Sequence, residues 1–224
     1  MVSSPILAIP PFPGARPPCF ATPGGSGQGE PAELLAALAQ HRVGGCYWGA
    51  MVPVPAGDVM LDGTNDPVPD AVPWDAACDP WPLLDAAVAV RLPESDPRGL
   101  LALAAGVPLT LVAADGSERA ASDDDRDHLL TTHLTGWNWI NPFSLAPMSP
   151  IEAIAQCGDW RRLIDANRPI QSVMGIAYWK KPTVTALLWG GSKVPYGRSL
   201  HDLPEGAAVA IWRARLSASQ QRAI

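Results

Sequence analysis

Charge is scarce in this sequence, and the common catalytic signatures are missing. Charged residues make up 17% of the 224 positions, unlike the composition of a self-repelling disordered chain. The net charge of −6 provides no basic footprint, which excludes broad nucleic-acid binding and any general attraction to anionic lipid. Four cysteines occur, Cys19, Cys46, Cys78 and Cys157. None forms a Cys-x-x-Cys pair or takes a zinc spacing with the histidines. Isolated cysteines of this kind suit a reducing compartment. No apolar run approaches the roughly 20 residues that span a bilayer, and no basic stretch followed by an apolar run opens the chain as in a signal peptide. A cytoplasmic location is therefore expected. Neither a Gly-x-Ser-x-Gly elbow nor a dinucleotide fingerprint occurs. His128 and His133 lack a nearby carboxylate–nucleophile pattern and read as ordinary surface or loop residues.

Hydrophobic residues, at 47%, suffice for a packed core, and the length suits one large domain or two small ones. The 25 prolines and 20 glycines gather near residues 10–29, 53–82 and the 140s, cutting the chain into short elements. Residues 1–30 read as an irregular arm. In it Ile6–Ile9 is a candidate strand stopped by Pro10, Pro11 and Pro13. Gly24–Gly29 reads as a flexible linker, because no Gly-Lys-Ser/Thr follows it.

Residues 31–135 read as a Rossmann-like α/β domain. Pro31 opens a helix to about His41, with Leu34, Leu35, Ala37 and Leu38 at helical spacing and Gly44-Gly45 ending it. Cys46–Trp48 is a candidate strand. Val59–Leu61 is a better one, with a turn at Asp62–Asp66. Between Ala86 and Ala113 the pattern is clearest. Ala87–Val90 reads as a buried strand. Ser95-Asp96-Pro97 caps a helix lined by Leu100, Leu101, Leu103 and Ala104, and Gly106 closes it. Leu109–Val112 is the next strand, which implies a parallel crossover. Asp123–Asp127 reads as a solvated turn or helix start rather than a metal site.

Residues 136–170 read as a connector. Ser149-Pro150-Ile151-Glu152 is a capping box. It opens a helix to Asn167 whose expected buried side is Ile151, Ile154, Ala155, Leu163 and Ile164. Residues 171–224 read as the incomplete start of a second α/β unit near Ile176. Its expected elements are a strand at Thr183–Leu188, a short helix at Ser199, a strand at Ala207–Trp212 and a helical tail.

Among candidate site residues, Asp62 and Asp66 follow a strand's carboxyl end, where open α/β sheets place ligands. A carboxylate there can deprotonate a sugar hydroxyl, or simply form an Asx turn. Ser95 at a helix start suits phosphate or serves as a plain cap, and the charge of Asp96 opposes phosphate. Lys180 and Lys181 can neutralise phosphate while Trp179 stacks on a sugar or cation. The alternative is the beginning of a strand, with solvated lysines and a core tryptophan. Arg161 and Arg162 read as an exposed face with snorkelling stems. Trp137, Trp139 and Trp160 read as packing residues.

The order of motifs after Gly136 resembles a known family. Asn141-Pro142-Phe143-Ser144, Met148–Ile154, Asp159-Trp160-Arg161-Arg162 and Asn167-Arg168 resemble the connector of bacterial capsular polysaccharide β-Kdo (3-deoxy-D-manno-oct-2-ulosonic acid) transferases. Gly175–Lys181 looks like the opening of a further module, and Ala207–Trp212 like its next strand. Asp85–Leu111 is similar to the family's donor-binding half. The resemblance implies GT-B-type Rossmann-like units and inverting transfer of Kdo from CMP-Kdo to a lipid-linked acceptor, with no metal or cofactor. It implies peripheral association with the inner membrane and a capsule-assembly partner. Asp62 or Asp66 would then act as base, the Ser95 helix start would meet the donor, and Trp179, Lys180 and Lys181 would meet phosphate or acidic sugar. The family's His-Pro dipeptide is missing, and only Leu61-Asp62-Gly63-Thr64 answers to its Val-Asp-Gln segment. Two alternatives stand beside this reading: a non-catalytic accessory or scaffold subunit of capsule assembly, and an unrelated α/β nucleotide-binding protein.

Overall fold

The computed structural model describes residues 4–16, 19–197 and 202–212. They fall into two units: Met1–Ile9 with Pro17–Arg161, and Pro10–Arg16 with Arg162–Ile224. The first unit contains, in chain order, β1 (Ala21–Pro23), α1 (Pro31–His41), β2 (Val59–Asp62), β3 (Val72–Pro73), α2 (Pro80–Ala86), β4 (Ala87–Pro93), α3 (Arg98–Ala104), β5 (Leu109–Val112), β6 (Glu118–Ala120) and α4 (Asp123–Leu130). A π-helical turn at Thr131–Thr135 leads to β7 (Trp137–Ile140), β8 (Pro147–Met148) and α5 (Pro150–Asn167). The division between units falls inside α5.

The protein is mixed α/β with a parallel sheet. The main sheet has the order β3-β2-β4-β5-β6, parallel from β3 through β5, with β6 antiparallel at the edge. The expected strand–helix–strand passage is present: β4 and β5 pair in parallel, Leu92 opposite Leu111, with α3 between them in sequence. Leu92, Leu100, Leu101 and Leu111 are fully buried, each contributing about 1.5–3 kcal/mol by leaving water. Gly99 lets α3 approach, since a Cβ there would lie 3.1 Å from Leu129 and 3.3 Å from Leu109.

Caps set the helix ends. Pro31 starts α1, and Arg42, in the left-handed region, ends it with bonds to Ala39 and Leu38 carbonyls before Gly44-Gly45 is reached. Asp79 caps α2 by accepting the Trp81 amide. Ser122 and Asp125 form a capping box on α4, a helix start as expected. Ser149 and Glu152 form the expected box on α5: the Ser149 amide donates to Glu152 Oε2 at 2.7 Å, and the Glu152 amide donates to Ser149 Oγ at 3.3 Å.

Several local expectations are corrected. Ile6–Ile9 is not a strand; Ile6 and Leu7 are core residues of the first unit, and Ile6 is tied by main-chain bonds to His133 and Gly45. Cys46–Trp48 is a turn, and Tyr47 is buried with its hydroxyl donating to the Ala8 carbonyl at 3.3 Å. Gly24–Gly29 is no flexible linker: the amides of Gly24, Gly25 and Gly27 donate to carbonyls of Gly136 and Thr135. A Cβ on Gly25 would lie 2.5 Å from the carbonyl oxygens of Thr135 and Trp137, so the glycine permits that close approach. Just upstream, β1 pairs antiparallel with β7. Trp139 and Trp160 pack as expected, both against Phe20 at centroid distances of 5.3 and 5.5 Å. On α5, Ile154 and Ile164 are buried, but Leu163 is 39% exposed.

The second unit contains β9 (Ile170–Met174), a 3-10 turn (Tyr178–Lys180), α6 (Lys181–Leu187) and β10 (Ala208–Ile211). β9 and β10 pair in parallel, so the strand pairing of this unit opens at Ile170. Thr183–Leu187 is helix, not strand, and Leu188 caps it. Pro182 sits in the first turn, where its fixed φ favours a helix. Val184 and Leu188 then share one helical face, on a core with Val173 and Val194. Phe12 packs edge-on against Trp189 at 5.3 Å. The helices expected at Ser199 and beyond Trp212 lie outside the described residues. Among the described residues no helix is long and apolar enough to cross a membrane.

Candidate functional site

The strand order locates the position in the first unit's sheet at which open α/β sheets take ligands. From β2 the chain passes to β3 on one side, and from β4 to β5 on the other. The topological switch point therefore lies between the carboxyl ends of β2 and β4. Asp62 ends β2 there, and Arg91 lies opposite it in β4.

Asp62 is buried and its oxygens are taken. Oδ1 accepts from the Thr64 amide at 2.8 Å and the Thr64 hydroxyl at 2.7 Å; Oδ2 accepts from the Val68 amide at 3.0 Å and Arg91 Nη1 at 2.9 Å. Burial alone would push the carboxyl up. The bonds from Thr64, Val68 and Arg91 together outweigh burial and hold it below the usual carboxylate range. Such a group accepts a proton reluctantly, so the geometry describes an anchor for the 62–68 turn. Asp66 is exposed. Its main-chain carbonyl joins the network, accepting from Thr64 Oγ1 at 3.0 Å and Arg91 Nη1 at 3.1 Å.

Ser95 lies exposed in the turn after β4 and is not the cap of α3, which begins at Arg98 with Pro97 before it. Asp96 does the capping, accepting the Arg98 amide at 2.9 Å. It also holds the Arg98 guanidinium, whose Nη2 lies 2.6 Å from Oδ2. Arg98 further donates to the carbonyls of Trp74 and Gly63. Gly63 permits this, since a Cβ there would lie 2.6 Å from Arg98 Nη2. Beside these groups is a crevice of about 400 Å³ lined by Ser4, Cys46, Trp48, Asp96, Pro97 and Arg98 among others.

In the second unit Trp179 is 72% exposed and Tyr178 85% exposed. Lys180 Nζ lies 5.0 Å from the Trp179 ring centroid and 4.5 Å from that of Trp212. Lys181 Nζ lies 5.5 Å from Tyr178 and 5.1 Å from Tyr196. Both lysines are therefore held over ring faces, where the π quadrupole attracts a cation. Tyr178, Trp179 and Lys181 line a cleft of about 520 Å³ with Thr185, Lys193 and Tyr196, a volume within the range of small-ligand sites. Lys180 is not among the lining residues. The alternative reading, the beginning of a strand with a core tryptophan, does not hold: Tyr178–Lys180 is a 3-10 turn, Lys181 opens α6, and Trp179 is exposed.

Two further residues differ from expectation. Arg161 is buried: its Nη2 lies 2.8 Å from Asp79 Oδ2 and its Nη1 donates to the Arg42 carbonyl at 2.7 Å. A guanidinium needs such partners to leave water. His133 is buried, with Nδ1 2.8 Å from the Ser4 carbonyl. Among the described residues no group of three or more His, Cys, Asp or Glu side chains is placed to hold a metal ion.

The structure thus joins Asp62 and Asp66 in one network with Arg91, and groups Trp179 with Lys181 around one cleft. Sequence reasoning missed Arg91, Asp96, Arg98, Lys193 and Tyr196. The lysine distribution held a signal for part of this: the chain has only three lysines, Lys180, Lys181 and Lys193. Comparison with protein-family models, with curated proteins and with solved structures finds no match to this chain.

Proposed function

We propose that this protein handles a nucleotide-activated acidic sugar in capsular polysaccharide assembly, as a chain of the β-Kdo transferase type with GT-B-like units. The reaction would transfer Kdo from CMP-Kdo to a lipid-linked acceptor. The observation that carries the proposal is the parallel β2–β4–β5 sheet. Its β4–α3–β5 passage, Ala87–Val112, makes up most of Asp85–Leu111, the stretch that resembles the family's donor-binding half. A second parallel pair, β9 and β10, follows α5, in line with a connector leading into another α/β unit. The donor would occupy the crevice at the carboxyl ends of β2 and β4, and the lysines beside Trp179 would offer charge to an acidic sugar.

One observation favours the accessory reading as a second candidate. The carboxylate expected to act as base, Asp62, has its acceptor positions filled by main-chain amides, a hydroxyl and Arg91. A subunit that binds sugar nucleotide or glycan without turnover needs no free base there.

Thermal unfolding with CMP, UDP and GDP tests the proposal. A melting temperature raised by CMP and unmoved by UDP and GDP is expected. Ligand at 100 times its dissociation constant adds about 2.7 kcal/mol. An equal response to all three nucleotides, or none to CMP, overturns the assignment. Co-purification with a complete transferase, without CMP-Kdo turnover, selects the accessory reading.

A further inference from the structure

All three lysines of the chain lie between residues 180 and 193. Elsewhere its cations are arginines, and those recorded in ion pairs hold carboxylates in fixed geometries, as Arg91, Arg98 and Arg161 do. Two of the lysines, Lys181 and Lys193, line the second unit's cleft, and none of its described lining residues is acidic. A chain of net charge −6 therefore has a locally cationic cleft. Its aromatic wall is unpacked: Tyr178 and Trp179 keep most of their surface in water. The opposite side is fixed. Tyr196 Oη bonds to Thr185 Oγ1 at 3.0 Å and donates to the Lys181 carbonyl at 3.1 Å, so the ring beside Lys181 is held in place.

We infer that this cleft is a binding site for an acidic saccharide. The C–H face of a sugar ring would stack on Tyr178 and Trp179, and its carboxylate would meet Lys181 and Lys193. Exposed rings bury apolar ring surface at small conformational cost, since a tyrosine or tryptophan has few rotatable bonds. The ammonium groups are point charges without the planar fork that grips phosphate bidentately, so a single carboxylate suits them. Lys181, already drawn toward two rings, is positioned before the ligand arrives. This site belongs wholly to the second unit, whereas the donor is assigned to the carboxyl ends of β2 and β4 in the first. The inference deepens the function proposed above, yet it is tested by binding alone. Failure of CMP recognition and failure of saccharide recognition are therefore distinguishable.

Because the lysines are confined to this segment, amine labelling reports on it directly. Reductive ¹³C-methylation retains lysine charge and gives one signal for each lysine besides the terminal amine. The probe is trigalacturonic acid. The controls are its methyl ester, which lacks the charge, CMP, and inorganic phosphate. Saturable shifts of the Lys181 and Lys193 signals are expected. The ester should bind at least about fivefold more weakly, the scale of losing one or two exposed charge pairs. Trp179→Ala and the pair Lys181→Ala with Lys193→Ala should each weaken binding by a similar factor while the melting temperature stays near that of the parent. Equal binding of acid and ester would reduce the cleft to an apolar groove and overturn the inference. Tighter binding of CMP or phosphate, with displacement of the saccharide, would make it a nucleotide or phosphate site and overturn it as well. So would an absence of shifts.

Discussion

Replacing Asp62 by asparagine separates an anchoring carboxylate from a catalytic one. Asparagine keeps one acceptor oxygen, which can still serve Thr64. Its NH₂ group replaces the oxygen that accepts from Val68 and Arg91, so donors face donors. Two bonds to the charged carboxylate, from the Val68 amide and from Arg91, are lost, at about 1.5–3 kcal/mol each. Arg91 keeps Glu118 at 2.7 Å together with Thr64 Oγ1 and the Asp66 carbonyl. No charge is stranded, so the loss stays near about 3 kcal/mol rather than the upper end for a broken buried pair. In a chain of this size that lowers the melting temperature by roughly 6–12 °C. The pH dependence follows from the direction of the shift. Asp62 is less readily protonated folded than unfolded. Its stabilisation is full above the unfolded value of about 3.9 and is lost as pH falls through the folded value. The asparagine variant should lose that part of the acid limb. Urea unfolding at pH 7 and pH 3 measures both effects. A variant within about 0.5 kcal/mol of the parent at pH 7 would refute the anchoring argument and return Asp62 to the role of base.

The buried pair on α5 gives a second test. Arg161→Ala removes the guanidinium paired with Asp79, whose side chain is fully buried, and should cost about 3–5 kcal/mol in urea unfolding. Arg161→Met combined with Asp79→Asn should cost less than the two single changes added. Thiol labelling gives a third. Burial pushes the Cys157 thiol up to about 12, against a bond from Tyr47 that pulls it down. It stays protonated at pH 8 and should resist alkylation until urea unfolds the protein, while exposed Cys19 reacts at once. Prompt modification of Cys157 in the folded protein would contradict its burial.

The elements legible in the sequence were those with local causes. Pro31, the Ser149–Glu152 box and the run from Ala87 to Val112 carry their own start and stop signals, and those elements formed where expected. The misread ones depend on partners distant in sequence. Thr183-Val184-Thr185 has the β-branched look of a strand, but Pro182 and a core face at Val184 and Leu188 select a helix. Gly24–Gly29 looks unconstrained until the Thr135–Gly136 carbonyls are beside it. Arg161 looks like a surface residue because nothing nearby in sequence announces Asp79, 82 positions earlier. For the site, a carboxylate after a strand was readable as a candidate. That Val68 and Arg91 would claim its oxygens was not, because those bonds arise from the turn's path and the β2–β4 register. The Lys180-Lys181 cluster was readable. The contribution of Lys193 and Tyr196 required the fold of the second unit.

The central claim, that this chain serves the transfer of an activated acidic sugar, is tested most directly with purified protein, CMP-Kdo and a glycolipid acceptor. The measurement is CMP release together with the mass of the acceptor. The account predicts acceptor-dependent CMP release matched by a mass gain of one Kdo residue. CMP release no faster than without protein, and an acceptor of unchanged mass even with a capsule-assembly partner present, would contradict it.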